Sequence, residues 1–298
     1  MDSSTSTFKT ITYARSISLP SRSHPITAAV KESLCRLRAS EATTSSSSLI
    51  SHDLSVLSGL YDQTNDMLQL PLTQQTLCQK QHGKYLEEIL EGSLQLSDVF
   101  GATKNVLSLT KGSVQELASS LRRRKSGDGG LDGKVEGFKT SRKNFIKLVQ
   151  KCLANLKRVK KNCDLLIQDQ GHPSLVNMLG EAEAASVSVF ESLLLVVSGS
   201  KSELKSFVSK LIQSKHVACE GEDLHTSEVE KIDCTLDALK LRKSSKSGDF
   251  EQVQNLQKQL ESFESRIQEL DEGVESLFRH LMRIRVSLFN ILNYYLTC

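Results

Sequence analysis

The C-terminal stretch FEQVQNLQKQLESFESRIQELDEGVESLFRHLMRIRVSLFNILNYYLTC, residues 250–298, decides the fold class. Apolar residues recur in it at alternating spacings of three and four, which places them on one stripe of a single helix. This heptad stripe consists of Val253, Leu256, Leu260, Phe263, Ile267, Leu270, Val274, Leu277, Leu281, Ile284, Leu288 and Ile291, and the spacing continues to Tyr295 and Cys298. A helix cannot bury such a stripe against itself, so the pattern predicts packing against other helices.

The heptad stripe can be buried within the chain or between two copies of it. The residues that flank it are Gln252, Gln257, Gln259, Glu264, Arg266 and Asp271. They form only a weak charge code for choosing a partner helix. Phe278 and Leu292 widen the apolar face, which suits a multi-helix bundle better than a two-stranded coiled coil. We therefore favour burial within the chain and keep self-association as the alternative.

The composition of the whole chain also favours helices. The chain has 298 residues, of which 38% are hydrophobic and 24% charged, with no Trp and only four Pro, so long stretches are free of helix breakers. No segment alternates with period two, as a half-buried strand would. We predict an all-α fold, an elongated multi-helix bundle with long antiparallel helices and the heptad helix at its C-terminus.

Two kinds of segment interrupt the helical pattern. Residues 1–24 are polar and rich in Ser and Thr, which predicts a disordered tail, although a transit peptide would have a similar composition. Glycine-rich or serine-rich breaks follow at 126–133 and 243–249. The predicted organisation is therefore a tail, 1–24, and one helical bundle, 25–298.

Four segments carry a resemblance to a known family. They are YARSISLPSRSHP (13–25), LYDQTNDMLQLPLTQQ (60–75), EEILEGSLQLSDVFG (87–101) and QELASSLRRRK (115–125). Their sequences resemble those of a plant-specific group of helical proteins named with the BYPASS-related proteins. The resemblance extends over most of the chain and is densest before residue 125. The resemblance implies a plant protein linked to root and shoot development. It implies no catalytic residue.

The usual catalytic and metal-binding motifs are missing from the sequence. There is no Walker P-loop, no H-E-x-x-H and no G-x-S-x-G. The glycines of 126–133 miss the G-x-G-x-x-G spacing and follow no strand. His216, Cys219, His225 and Cys234 match no standard zinc module. We expect a protein that is not an enzyme and holds no metal or cofactor.

Cysteine usage and hydropathy indicate the compartment. The seven cysteines include no C-x-x-C pair and read as reduced thiols. The chain starts without a secretory signal, and its longest apolar run, Leu193–Val197, is too short to cross a bilayer. We expect an intracellular, cytoplasmic protein, with the nucleus and the plastid left open.

Residues 138–161 predict a basic amphipathic helix. No acid lies between Glu136 and Asp164, whereas the basic residues are Lys139, Arg142, Lys143, Lys147, Lys151, Lys157, Arg158, Lys160 and Lys161. Membrane-surface helices and calmodulin targets take this form. We favour an ordinary bundle helix whose basic face is solvated or meets acids on the last helix. Those acids are Glu261, Glu264, Glu269, Asp271, Glu272 and Glu275.

Nucleic-acid binding is not expected. The formal net charge is only +3, which does not by itself indicate a nucleic-acid partner. Aromatic residues make up only 5% of the chain, so few side chains could stack on nucleic-acid bases. The sequence also contains no known nucleic-acid-binding module.

The segment RSISLP, residues 15–20, has the form of a phosphoserine motif. Arg15 lies three residues before Ser18, as basophilic kinases prefer. Together Arg15, Ser16, Ser18 and Pro20 have the form of a ligand for 14-3-3 proteins, which read the phosphate through clustered arginines. We predict 14-3-3 binding once Ser18 is phosphorylated.

The preferred interpretation is a non-enzymatic interaction or regulatory protein whose protein partners are unknown. The alternative is a peripheral membrane-surface or calmodulin-binding regulator that acts through the basic helix 138–161.

Overall fold

The computed structural model describes residues 24–41, 47–79, 83–123, 131–168, 174–199, 228–241 and 249–297. These residues form eight α-helices and no strand, which confirms the all-α prediction. The helices are α1 (Pro25–Glu41), α2 (Ser47–Leu68), α3 (Pro71–Leu77), α4 (Gly83–Arg123), α5 (Leu131–Gln168), α6 (Ser174–Ser198), α7 (Glu228–Leu241) and α8 (Asp249–Thr297). Except for His24, the predicted tail lies outside the described residues.

Proline and glycine set two of the helix ends. Pro71 is the first residue of α3, and Leu70 before it is extended, because proline disfavours helical backbone in the preceding residue. Gly199 follows α6 with φ of 65°. A Cβ atom there would lie 2.4 Å from Cβ of Val229, so both the backbone angle and the space require glycine.

The two longest helices, α4 and α8, are antiparallel neighbours. Nζ of Lys104 contacts Oε2 of Glu275, and Nζ of Lys111 donates to Gln268. Nε2 of Gln115 donates to Oε1 of Glu264 over 2.7 Å. Residue numbers therefore increase along α4 by the same amount as they decrease along α8 from one contact to the next. This polar ladder along one edge fixes the register of the pair.

The heptad stripe of α8 lies in the core. Every member from Leu256 to Ile291 is buried, and Val253 is half-buried. The stripe packs chiefly against α4 and α2, and further contacts join α8 to α7. Inside the core, the ring of Phe100 meets that of Phe190 edge-on at 4.4 Å and that of Phe278 at 6.2 Å, which joins α4, α6 and α8.

The central helix of the bundle is α6. It packs against α5, α2, α4 and α1, and most of its residues are buried. Its sequence is accordingly apolar on nearly all sides, as a helix surrounded by others must be. Two acids, Glu181 and Glu183, nevertheless lie in its first half.

We expect Leu277→Ala to lower the free energy of unfolding by about 2–5 kcal/mol, because the side chain is fully buried and its loss leaves a cavity. The measurement is urea denaturation followed by circular dichroism. The matched control is Leu72→Ala on α3, where the side chain is 74% exposed and the cost should stay within about 0.5 kcal/mol. Equal costs for the two variants would contradict this packing.

Candidate functional site

Helix α5 carries a row of exposed cations on its outer side. We call this row the cationic face, and it consists of Lys143, Lys147, Lys151, Arg158 and Lys161. At 3.6 residues per turn, these five positions fall within an arc of about 80° on the helix and extend over about 27 Å along it. Within the described ranges, none of the five forms an ion pair or a hydrogen bond through its side chain. Among the described residues, the cationic face therefore has no anionic partner.

The opposite side of α5 is part of the bundle core. Phe145, Val149 and Leu156 are buried. Of the three residues with the spacing of groove anchors, Leu153 and Val159 are buried and Ile146 is half-buried. Membrane insertion and binding in a calmodulin groove both need an apolar helix face to be available. In this fold that face is already packed against α4 and α6.

Two of the predicted basic residues pair with α7. Nζ of Lys139 contacts Oδ1 of Asp237, and Nη1 of Arg142 contacts Oδ2 of Asp233. Arg142 also donates to the carbonyl oxygen of Ser198 over 3.4 Å, so it ties the end of α6 to α5 and α7. Burial raises the pKa of Asp233, and the neighbouring Arg142 opposes that shift.

The sequence predicts that the basic face of α5 is solvated or meets acids on the last helix. Its outer row is solvent-exposed, and among the described residues the acids that pair with the basic face lie on α7 instead. The acids that pair with α5 are Asp233 and Asp237 of α7, whereas Glu264 and Glu275 of α8 bond to α4. The physical reason is that α8 packs chiefly against α4 and α2, so its charged edge faces α4.

The last two basic residues differ from the cationic face. Lys157 is exposed and has a partner of its own. Lys160 is half-buried and lies near Glu191 of α6, where burial raises the pKa of the carboxyl and the charge of Lys160 opposes the rise. Because both lysines interact with other groups, we leave them out of the cationic face.

The remaining predicted residues fall mainly outside the structure. Arg15, Ser16, Ser18 and Pro20 lie outside the described residues, as do His216, Cys219 and His225. Cys234 is exposed on α7. In the described part of the chain, no three His, Cys, Asp or Glu side chains lie close enough together to hold a metal ion.

A cavity of about 230 Å³ lies beside the pairing of α5 with α7. Its walls are mainly apolar, with Phe138, Phe145 and Phe263 from α5 and α8. Arg142 reaches it, but its guanidinium already bonds to Asp233 and Ser198. The lining residues include no carboxylate, histidine or cysteine, so they supply neither a general base nor a strong nucleophile.

An interior acid site, not predicted from the sequence, lies where α4, α5 and α6 meet. Glu183 on α6 is only 7% exposed. Its Oε2 lies 3.8 Å from Sγ of Cys163 on α5, which donates to it, while its Oε1 has no hydrogen-bond partner among the described residues. Nearby, the hydroxyl of Tyr61 on α2 lies 2.7 Å from Oγ of Ser186.

Burial dominates the electrostatics of the interior acid site. It raises the pKa of Glu183 to about 8, against the smaller lowering effect of the Cys163 thiol. Burial also raises the pKa of the Cys163 thiol, and the neighbouring Glu183 raises it further. The pKa of Tyr61 is raised for the same first reason. All three groups therefore favour their neutral forms.

The position of Glu183 within the apolar repeat of α6 was the available sequence signal. Leu179, Glu183, Ser186 and Phe190 follow one another at spacings of three and four, so a carboxyl occupies a core position of the helix. The space for that carboxyl comes from a distant residue. A Cβ atom on Gly92 would lie 2.6 Å from Oε2 of Glu183, so glycine at this point of α4 lets the two helices close around the acid.

The geometry thus defines a class, a helical bundle protein with an outward cationic face and no assembled catalytic constellation in the parts that the structure describes. A family model with the description Protein BPS1 matches residues 53–291. The chain belongs to the BPS1 family, which confirms the resemblance to the BYPASS-related proteins and supports a role in plant development. No curated protein and no solved structure matches the chain. None of the described helices is both long and apolar enough to span a bilayer.

Two glycines of α4 give a matched test of the interior acid site. Gly101→Ala should raise the free energy of unfolding by about 0.5–1 kcal/mol, because its Cβ meets no atom within 4 Å and alanine favours the helix. Gly92→Ala should instead lower it by about 1–3 kcal/mol, because the new Cβ displaces the Glu183 carboxyl in a packed core. Thermal and urea unfolding measure both changes.

The double variant Gly92→Ala, Glu183→Ala serves as the control. It removes the crowded carboxyl, so its cost should fall below the sum of the two single costs. A gain in stability from both single glycine replacements would show that Glu183 does not depend on Gly92.

Proposed function

We propose that this BPS1-family chain is a cytoplasmic, non-enzymatic interaction protein that acts in plant development by docking an acidic surface of a partner protein. The observation that carries the proposal is the cationic face of α5, Lys143, Lys147, Lys151, Arg158 and Lys161. Its charges point outward on a helix that is anchored in the bundle by its other side.

The cationic face costs the isolated chain some stability. Lys143, Lys147 and Lys151 are spaced four apart, and like charges at this spacing repel one another by a few tenths of a kcal/mol per pair. No acid on α5 between Glu136 and Asp164 offsets this repulsion. An acidic partner surface would relieve it and would also speed association through electrostatic steering.

The packing of α5 favours a rigid docking surface. Because Phe145, Val149 and Leu156 remain in the core, a partner can read the row of charges without unfolding the bundle. The salt links of Lys139 and Arg142 to α7 hold the neighbouring part of the helix in place. The charges therefore keep a fixed spacing, which gives selectivity among acidic partners.

An anionic membrane surface is the second candidate for the same face. Each Lys or Arg near an anionic bilayer contributes about 1 kcal/mol, so five can hold a protein at the surface without insertion. Calmodulin binding would be harder to reconcile with this fold. A calmodulin groove takes up an apolar helix face, so α5 would have to leave the bundle and expose Phe145, Val149 and Leu156.

The test variant changes Lys143, Lys147 and Lys151 to Glu. We expect unchanged helix content and a loss of binding to the acidic partner, since reversed charges repel it. The measurement is affinity purification from plant tissue with the full chain as bait, followed by titration of recovered proteins. Binding should weaken steeply as salt rises from low to physiological concentration.

The control variant changes Lys31, Lys231 and Lys258 to Glu, which are exposed lysines on three other helices. This control changes the net charge by the same amount as the α5 variant, and it should still bind the partner. Loss of the partner in both variants would indicate a non-specific charge effect and contradict the proposal. Co-sedimentation with phosphatidylserine vesicles, lost only in the α5 variant, would favour the membrane surface instead. Calcium-dependent capture by calmodulin would contradict the rigid-surface mode.

The phosphoserine motif supports a separate proposal for a partner. Phosphorylation of Ser18 would add close to two negative charges beside Arg15 and Pro20, in the arrangement that 14-3-3 proteins bind. A phosphorylated peptide spanning Thr10–His24 should bind a 14-3-3 protein in a calorimetric titration. The unphosphorylated peptide and its Ser18→Ala form should not, and similar weak binding by all three would reject the motif.

A further inference from the structure

We propose that Glu183 stays protonated in the folded bundle and that its ionisation weakens the junction of α4, α5 and α6, so that the core contains a pH-dependent structural switch. The proposal depends on the interior acid site alone. Neither the cationic face nor any partner enters it.

The space around Glu183 is too small to hydrate a charge. The adjoining cavity has a volume of about 20 Å³, and its polar lining consists of Tyr61, Thr64, Ser93 and Glu183 itself. One water molecule needs about 10–15 Å³, so the cavity admits about one. A carboxylate in bulk water is solvated by several molecules. Ionisation inside the closed bundle therefore carries most of the desolvation penalty.

The groups that face Glu183 offer little compensation for a negative charge. From α2 comes Tyr61, whose hydroxyl bonds to Ser186, and from α5 comes the thiol of Cys163. The residues of α4 at this point, Gly92 and Ser93, do not ionise.

Arg285 and Arg38 lie on two of the helices that surround the interior acid site, but both are engaged elsewhere. From α8, Nη1 of Arg285 reaches Oγ of Ser93 at 3.4 Å rather than the carboxyl. From α1, Arg38 pairs with Glu181, which projects from a different side of α6. Among the described residues, no cation forms an ion pair with Glu183.

The direction of the pH effect follows from the raised pKa. In the unfolded chain Glu183 ionises near its ordinary value of 4.5, whereas in the folded bundle its pKa lies at about 8. The stability that the protonated carboxyl of Glu183 contributes is fully present below its pKa in the unfolded chain. This stability is lost as the pH rises towards its pKa in the folded bundle. Between the two, the folding equilibrium constant should fall by up to about tenfold per pH unit. Above the folded value the loss from this group is complete.

The experiment compares urea unfolding of the full chain and of Glu183→Gln between pH 5 and 9.5. Glutamine keeps the shape and cannot ionise, so the ratio of its folding constant to that of the natural chain should rise with pH and level off above about 8. Taking the ratio cancels the titration of groups that do not contact Glu183. A ratio that stays constant over this range would overturn the proposal.

The matched control is Glu181→Gln, two residues away on the same helix and paired with Arg38 at the protein surface. Its ratio should show no rise between pH 5 and 8. If Glu183→Gln fails to fold, Glu183→Met replaces it, because an apolar side chain of similar volume fills a buried acid site well. The same rise is expected for the methionine variant.

Infrared spectroscopy of the natural chain provides a readout that does not depend on stability. A protonated buried carboxyl gives a carbonyl band that disappears on ionisation. We expect a component of that band to persist at pH 6.5, to disappear by pH 9 and to be missing from the Glu183 variants. Its absence from the natural chain at pH 6.5 would show that Glu183 is already ionised and would reject the switch.

Discussion

Burial of the heptad stripe of α8 is the constraint on which the rest of the bundle depends. The helix has 49 residues and is about 74 Å long, so its stripe needs partners of comparable length. Helix α4, with 41 residues, supplies one of them in antiparallel orientation. The contacts of Lys104 and Lys111 with α8 set the register of the pair. The apolar stripe supplies the driving force, and the polar edge selects one alignment among several.

The distribution of charge follows from this arrangement. Since α8 packs against α4 and α2, its acids Glu264 and Glu275 bond to α4 rather than to α5. The short helix α7 neutralises Lys139 and Arg142. The outer row of α5 is consequently left without partners in the described chain, and the core keeps its apolar side. The cationic face is thus a product of helix order as well as of composition.

Local patterns made most of the fold predictable. The heptad spacing, Pro71 and the glycine-rich break act on neighbouring residues, so α8, α3 and the end of α4 could be placed from the sequence. Contacts between distant residues could not. The pairing of Arg142 with Asp233 depends on which helix packs beside α5. The interior acid site depends on Gly92 and Glu183, which are far apart in sequence and meet only after α4 and α6 have packed.

The stability of the fold and the proposed docking are linked through α5. Its inner side holds apolar residues and Cys163 against the core, while its outer side holds cations that repel one another. The row of charges has its fixed spacing only while α5 is helical and packed. A partner that binds this row selectively therefore binds the folded state and not the unfolded one, and it stabilises the bundle by mass action. Partner binding would thus offset the repulsion that the cationic face imposes on the free protein.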